Sequence, residues 1–187
     1  MPLTIKIPKQ EAYNEKTEMF YEIDKDYELV LEHSLVSISK WESKWHIPYL
    51  SEEHKKTTEQ AIDYIRCMTI FPKDVPEEVY SLIPDSELEK IARYINNPMS
   101  ATTIHNNYPS NGKKEILTSE LIYYYIFEAG IPKECEKWHI NRLIILINIF
   151  GIKRSEQNPN KSMSRSELAA RNRAINAKNR ARFKTKG

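Results

Sequence analysis

Glycine is scarce in this chain, with 4 among 187 residues. That scarcity argues against glycine-rich phosphate loops and against an all-β fold built on tight turns. Cysteine is also rare, and two residues, Cys67 and Cys135, favour reduced intracellular thiols over a disulfide framework. The longest apolar run, residues 143–150, contains Asn148 and is too short to span a membrane. Residues 1–6 lack the charged start and apolar stretch of a signal peptide.

The sequence patterns that mark common catalytic and metal sites are missing too. There is no G-x-S-x-G nucleophile elbow, no H-E-x-x-H zinc motif and no glycine-rich loop before a Lys-Ser or Lys-Thr pair. Cys135 and His139 stand four residues apart, but structural zinc normally uses paired knuckles that this spacing does not supply. We therefore predict a protein without catalytic residues, metal or cofactor. An enzyme whose site is assembled from distant residues stays open as an alternative.

Charge divides the chain into an acidic body and a basic end. Residues 161–187 contain nine lysines and arginines against one acid, Glu167, for a net charge of +8. Because the whole chain carries +2, residues 1–160 carry −6. Residues 164–187, here called the basic arm, are rich in alanine and arginine and form a helix readily. Leu168 and Ile175 supply only a narrow apolar seam, so we expect the arm to order against a partner.

The basic arm has three interpretations. Docking on an acidic protein surface, including the body of a second copy, ranks first. Binding to nucleic acid through phosphates ranks second, because the cations surround the helix and no aromatic residue interleaves them before Phe183. A solvated tail ranks third, and the apolar face is too small for a membrane surface. The predicted partner-binding residues of the arm are Arg165, Arg171, Arg173, Lys178, Arg180, Arg182 and Lys184.

Hydrophobic patterning predicts a mainly α fold with a small N-terminal antiparallel β-sheet, an α+β class. Residues 3–7 alternate and end at Pro8, as a short strand does. Residues 19–22 and 27–31 are rich in aromatic and β-branched residues, with a turn between them. Asn111-Gly112 indicates a hairpin within residues 98–116.

A short helix with two tryptophans is predicted next. Ser39 and Glu42 fit a capping box, so the helix should begin near Lys40 and place Trp41 and Trp45 on one face. Paired tryptophans at this spacing are more often core, but they are also favoured at interfaces. We therefore count Trp41 and Trp45 as candidate partner-binding residues.

A second capping box, Thr57 with Gln60, predicts the start of a further helix.

Two helices are predicted to form a central helical hairpin. The first runs from Leu121 to Ala129, with Thr118 or Ser119 as its N-cap and Gly130 as its left-handed terminator. The second begins at Pro132, runs to Phe150 and ends at Gly151. A three-residue link makes such helices antiparallel or steeply crossed. The second is apolar almost all round over its last half and is expected at the centre of the core, burying Trp138, Leu143, Ile144, Leu146, Ile147 and Phe150.

These elements predict four segments. Residues 1–50 form the β-sheet region with its tryptophan-bearing helix, and residues 51–151 form a helical core domain. Residues 152–163 are polar and contain Asn158-Pro159-Asn160, which predicts a linker. Residues 164–187 are the basic arm.

Several segments carry a family resemblance. They are LVSISKWESKW at residues 35–45, IDYIRCMT at 62–69, CEKWHINRL at 135–143, and the endings at 163–172 and 184–187. Together they resemble small proteins encoded among the late structural genes of tailed bacteriophages, described as tail assembly chaperones or as uncharacterised tail proteins. The resemblance covers most of the chain from about residue 35 onward and brings no catalytic motif.

The resemblance implies a role in phage tail morphogenesis through protein–protein contacts. A chaperone would hold the long helical tape measure protein, whereas a structural component would bind tail or neck subunits. It would act in the host cell cytoplasm during assembly, and a structural component would stay in the virion. A homo-oligomer is a further expectation, and a nucleic-acid-binding accessory protein is the alternative function.

Overall fold

A computed structural model describes residues 2–14, 19–104, 116–157, 169–170 and 172–176. The chain divides into two compact units, Met1–Ile147 and Asn148–Gly187. The predicted domain boundary at residue 50 is absent, because the strands and the helices up to residue 147 share one hydrophobic core.

The strands form two small antiparallel sheets. In the first, β1 (Leu3–Ile7) pairs with β4 (Tyr27–Leu31), and β4 pairs on its other side with β5 (Thr69–Phe71). In the second, β2 (Gln10–Asn14) pairs with β3 (Met19–Ile23). The α+β class is confirmed.

The pairing of the strands differs from the prediction. The patterning placed the two strands around residues 24–26 in one sheet, but β3 pairs with β2 and β4 pairs with β1. The sequence of β2, Gln-Glu-Ala-Tyr-Asn, contains few β-forming residues, so no pattern revealed it. The hairpin turn predicted at Asn111-Gly112 lies outside the described residues.

Helices supply most of the remaining described structure. They are α1 (Leu35–Trp45), α2 (Thr58–Met68), α3 (Glu77–Ser81), α4 (Asp85–Ile95), α5 (Ser119–Glu128), a 3-10 helix (Lys133–Lys137) and α6 (Ile140–Gln157).

Helix α1 begins earlier than its sequence pattern indicates. Ser34 is the N-cap, and its backbone N–H donates to Ser37 Oγ at 2.9 Å. The predicted capping pair of Ser39 and Glu42 therefore lies inside the helix, where Glu42 is buried. Two candidate capping pairs, Ser34 with Ser37 and Ser39 with Glu42, have the same spacing. Leu35 and Ile38 are fully buried, so the helix includes them and the first pair is the cap.

The caps of α2 and α5 are confirmed. Gln60 N–H donates to Thr57 Oγ1 at 3.2 Å, and Leu121 N–H donates to Thr118 Oγ1 at 3.3 Å. At the other end of α5, Gly130 has φ 67°. The N–H groups of Gly130 and Ile131 bond back to the last turn of α5, the pattern of a Schellman motif.

The hairpin link and the end of the last helix were predicted wrongly. Residues 129–139, not three residues, separate α5 from α6, and part of them is the 3-10 helix. The last helix passes through Gly151 to Gln157, so residues 152–157 of the predicted linker are helical. Lysine, arginine, glutamate and glutamine after Gly151 favour a helix more strongly than one glycine disfavours it. Residues 158–163 lie outside the described part of the chain.

The centre of the core lies on α1, not on α6. Trp41 has no exposed surface and packs among buried residues of the strands, α2, α5 and the start of α6. Of the apolar residues predicted to be buried on the last helix, Leu143 is buried, but Phe150 is 43% exposed. The others are partly buried: Trp138, Ile144, Leu146 and Ile147.

Substitution of the two tryptophans tests this placement. Trp41→Ala removes a fully buried ring and should lower the free energy of unfolding by about 3–5 kcal/mol. Trp138→Ala should cost less than half as much, because Trp138 is partly buried and Arg142 lies over its ring at 4.3 Å. Urea unfolding followed by circular dichroism measures both. Equal losses would place Trp138 at the centre of the core and contradict this packing.

Candidate functional site

The two tryptophans proposed as partner-binding residues lie in different environments. Trp41 is fully buried, and its indole N–H donates to the backbone oxygen of Gln60 at 2.9 Å. Trp41 is therefore a core residue that no partner reaches in the folded chain. Trp45 is partly buried, and its indole N–H donates to Asp63 Oδ2 at 2.8 Å.

One predicted residue of the basic arm falls within the described part of the chain. Arg173 lies in the helical stretch 172–176, whose residues are exposed. The remaining predicted arm residues lie outside the described residues: Arg165, Arg171, Lys178, Arg180, Arg182 and Lys184. Trp45 and the basic arm therefore stay candidates, and Trp41 does not.

A buried cluster of two histidines and two tyrosines, here called the histidine junction, lies at the start of α1. His33 Nδ1 lies 2.5 Å from the Tyr64 hydroxyl. The rings of His33 and His139 meet edge to face with centroids 4.9 Å apart. His139 Nε2 lies 2.9 Å from the backbone oxygen of Tyr94, whose hydroxyl accepts from the His33 N–H. The cluster consists of His33, Tyr64, Tyr94 and His139.

Backbone bonds fasten the same junction. Ser34 and His139 form an isolated antiparallel bridge, and the Ile140 N–H donates to the His33 oxygen at 2.9 Å. The Asn141 side-chain amide donates to the backbone oxygens of Ile95 and Asn97 at 3.0 and 2.8 Å. The junction therefore joins the β4–α1 corner to the end of α4 and the start of α6.

Both histidines are held in their neutral form. Burial, with a smaller contribution from His139, lowers the pKa of His33 to about 3. Burial also lowers the pKa of His139, and the Tyr94 carbonyl opposes that shift in part. Neutral His139 donates from Nε2 to Tyr94, and its Nδ1 accepts from the Asn141 N–H at 3.3 Å. Burial raises the pKa of Tyr64 and Tyr94, so both phenols keep their protons.

A buried carboxylate bridges α1 to α5. Glu42, 7% exposed, accepts the Tyr49 N–H on Oε1 and the Ser119 N–H on Oε2, each at 2.7 Å. Ser119 is the first residue of α5, whose terminal N–H groups lack partners within the helix. The negative carboxylate also lies at the positive end of that helix dipole. Glu42 therefore fixes where α5 begins relative to α1.

A charged surface cleft of about 360 Å³ lies between α1, α2 and α3. Lys44 Nζ lies 2.5 Å from Asp63 Oδ1, and Arg66 forms an ion pair with Glu77. Each of these cations thus has a carboxylate partner within the cleft. Nearby, burial raises the pKa of the Cys67 thiol to about 11, so it is protonated at neutral pH and is a weak nucleophile.

The chemistry of these groups favours structural roles. The polar atoms of the histidine junction and of Glu42 form hydrogen bonds to one another or to the backbone inside the core. These hydrogen bonds offset the cost of burying the polar groups. Among the described residues, no group of three or more histidines, cysteines, aspartates and glutamates is placed to hold a metal ion.

Sequence reasoning missed the histidine junction and the Glu42 bridge. His33, Tyr64, Tyr94 and His139 are far apart in sequence, and only the fold brings them together. Sequence spacing relates His139 only to its neighbours Cys135 and Trp138, not to His33. The one usable signal for Glu42 was an acidic residue directly after a core tryptophan, which puts the carboxylate near the buried face.

Comparisons with known proteins found no match to any family model, any curated protein or any solved structure. Over the described residues, no helix has the length and apolar character needed to cross a bilayer.

The depressed His33 pKa predicts acid-sensitive stability. The ordinary pKa of 6.5 applies to the unfolded chain and about 3 to the fold, so between these values the unfolded chain binds more protons. Stability should therefore fall as pH drops below about 6.5, with His33 contributing up to about 1.4 kcal/mol per pH unit. Urea unfolding of wild type and His33→Asn at several pH values between 7 and 4.5 measures the difference.

Carboxylate protonation affects both proteins in that experiment, so the comparison isolates the histidine. His54→Gln, at an exposed position, is the matched control and should keep the wild-type pH dependence. If the free energy of unfolding changes with pH equally in wild type and in His33→Asn, His33 has the same pKa in the folded and unfolded chains and the prediction is wrong.

Replacement of Glu42 tests the bridge between α1 and α5. Glu42→Gln keeps the shape but offers one acceptor oxygen for two buried N–H groups, and should cost about 1–3 kcal/mol. Glu42→Ala leaves both N–H groups unpaired and should cost more. Hydrogen exchange at the Ser119 amide should accelerate in both variants. Unchanged exchange at Ser119 would contradict the bridge, and Glu52→Gln, at an exposed position, is the control.

Proposed function

We propose that the protein is a phage tail morphogenesis protein that acts through protein–protein contacts, as a tail assembly chaperone or a small structural component. The resemblance of residues 35–45, 62–69 and 135–143 to late-gene tail proteins supports the phage assignment. The buried polar groups bond within the core, so the proposal places binding at the surface.

An exposed apolar strand edge carries the proposal. Strand β5 is an outer strand of the β1-β4-β5 sheet, and Ile70 and Phe71 are 44% and 64% exposed. Because successive strand residues point to opposite faces, both faces of this edge present a large apolar side chain. An open edge of this kind is a ready template for pairing with another chain.

The edge is held firmly for such a contact. β5 follows α2 directly, and Thr69 Oγ1 donates to the Ile65 backbone oxygen at 3.0 Å. Its inner side pairs with β4 through Leu31↔Thr69 and Val30↔Phe71. Pro72 has no N–H and ends the strand. An extended segment of a tail or neck subunit that adds one short strand here would cover Ile70 and Phe71.

A second candidate function is nucleic-acid binding. Residues 172–176 are helical and exposed and include Arg173, within the +8 end of the chain. Such an arm binds phosphates with an affinity that falls steeply with salt.

Capture experiments test the proposal. Tagged full-length chain is incubated at about 0.2 M salt with the tape measure protein and the tail and neck subunits of the source genome, each expressed separately. We expect one of them to bind, and Phe71→Ser to weaken that binding at least about tenfold, as loss of a central apolar contact does. Leu88→Ser, at a 39% exposed site on α4, is the matched control and should bind normally.

Two results would contradict the proposal. In the first, the chain binds none of the tail proteins but is retained on duplex DNA. If that retention is lost by about 0.2 M salt and is also lost in Arg173→Glu, the nucleic-acid function is favoured. The other is equal binding by Phe71→Ser and wild type, which would remove β5 from the interface. Unchanged thermal midpoints confirm that the variants are folded.

A further inference from the structure

Helix α5 presents an aromatic and acidic face to solvent. Tyr124 and Phe127 are 57% and 65% exposed, and Glu120 and Glu128 are exposed beside them. Residues at these spacings fall on one side of a helix. We call the set of Glu120, Tyr124, Phe127 and Glu128 the α5 face.

The opposite side of the helix fixes this face in place. Ile122 and Ile126 are 0% and 1% exposed and belong to the core. Glu42 bonds to the first N–H of α5, and Gly130 begins the turn that ends the helix. The exposed rings are thus carried on a helix that is held along its inner side and at both ends. A preorganised surface of this kind loses little entropy when it binds.

The chemistry of the α5 face selects a cationic partner with an apolar residue. Helix α5 contains two acids, Glu120 and Glu128, and no basic residue. The 3-10 helix after it contains two lysines and two glutamates, whose charges cancel. Aromatic ring faces attract guanidinium and ammonium groups, and the exposed Glu120 carboxylate adds to that attraction. An arginine-bearing helix with one large aliphatic side chain therefore fits this surface.

The chain itself contains such a helix. Residues 169–170 and 172–176 of the basic arm are helical, and Ile175 is 45% exposed. In the sequence, Arg171 stands four residues before Ile175 and Lys178 three residues after it, which are same-side helical spacings. The end of the chain carries +8 and the remainder −6, so the two parts complement each other in charge.

We propose that the basic arm of one copy docks on the α5 face of a second copy, with Ile175 against Tyr124 and Phe127. Each copy has one arm and one face, so two copies exchange arms reciprocally in a closed two-fold dimer. The arm's Arg171 then lies beside Glu120. This inference does not depend on the phage assignment, since it concerns only this chain.

Mixing two singly defective variants tests reciprocal exchange. Phe127→Ser damages the face and leaves the arm intact, whereas the double substitution Arg171→Glu with Ile175→Ser damages the docking side of the arm and leaves the face intact. Each variant is studied alone and in an equimolar mixture by sedimentation equilibrium at low and moderate salt. Full-length wild type should be a dimer whose dissociation constant rises with salt.

Each variant alone should dimerise at least about tenfold more weakly than wild type. In the mixture, the intact arm of one variant meets the intact face of the other, so a heterodimer with one contact should form more tightly than either homodimer. Leu88→Ser and Phe71→Ser should dimerise as wild type does, since neither residue belongs to the face or the arm. Circular dichroism and thermal midpoints establish that all variants are folded.

Three results would overturn the proposal. A wild-type chain that stays monomeric at every concentration has no exchanged arm. If either defective variant dimerises as tightly as wild type, the dimer uses another surface. A mixture that associates no better than its components shows that the arm does not reach a second copy. Loss of tail-protein capture by Phe71→Ser, with normal dimerisation, would leave this inference intact.

Discussion

The fold depends on a set of buried polar bonds along and around helix α1. At its start, the backbone of His33 and Ser34 bonds to His139 and Ile140, where α6 begins. Near its end, the Glu42 carboxylate accepts the first N–H of α5. Between them, Trp41 fills the core and bonds to α2. Leaving a buried polar group without a partner destabilises the fold by more than one formed hydrogen bond stabilises it. These bonds therefore favour one arrangement of the helices over others.

This arrangement determines which surfaces are offered to other molecules. With its inner isoleucines in the core and its first N–H on Glu42, α5 must turn Tyr124 and Phe127 outward. With α2 fixed against Trp41, β5 extends the sheet and leaves Ile70 and Phe71 at its edge. The proposed binding surfaces are thus consequences of the core.

The sequence predicted local features well and long-range features poorly. The caps at Thr57 and Thr118 and the terminator Gly130 depend on neighbouring residues, and the structure confirms them. The partners of β3 and β4 and the burial of Trp41 depend on distant residues, which no short pattern encodes. Apolar content was also misleading. The apolar run 143–150 of α6 was expected at the centre of the core, but Phe150 within it is 43% exposed.

Hydrogen exchange at the Ile140 amide tests the central claim most directly. This N–H donates to the His33 oxygen inside the histidine junction, at the point where α6 joins α1. If the buried bonds around α1 hold the fold together, Ile140 should exchange only through global unfolding, with an opening free energy equal to that from urea unfolding. Exchange at Ile140 through a local opening of much lower free energy would contradict the account.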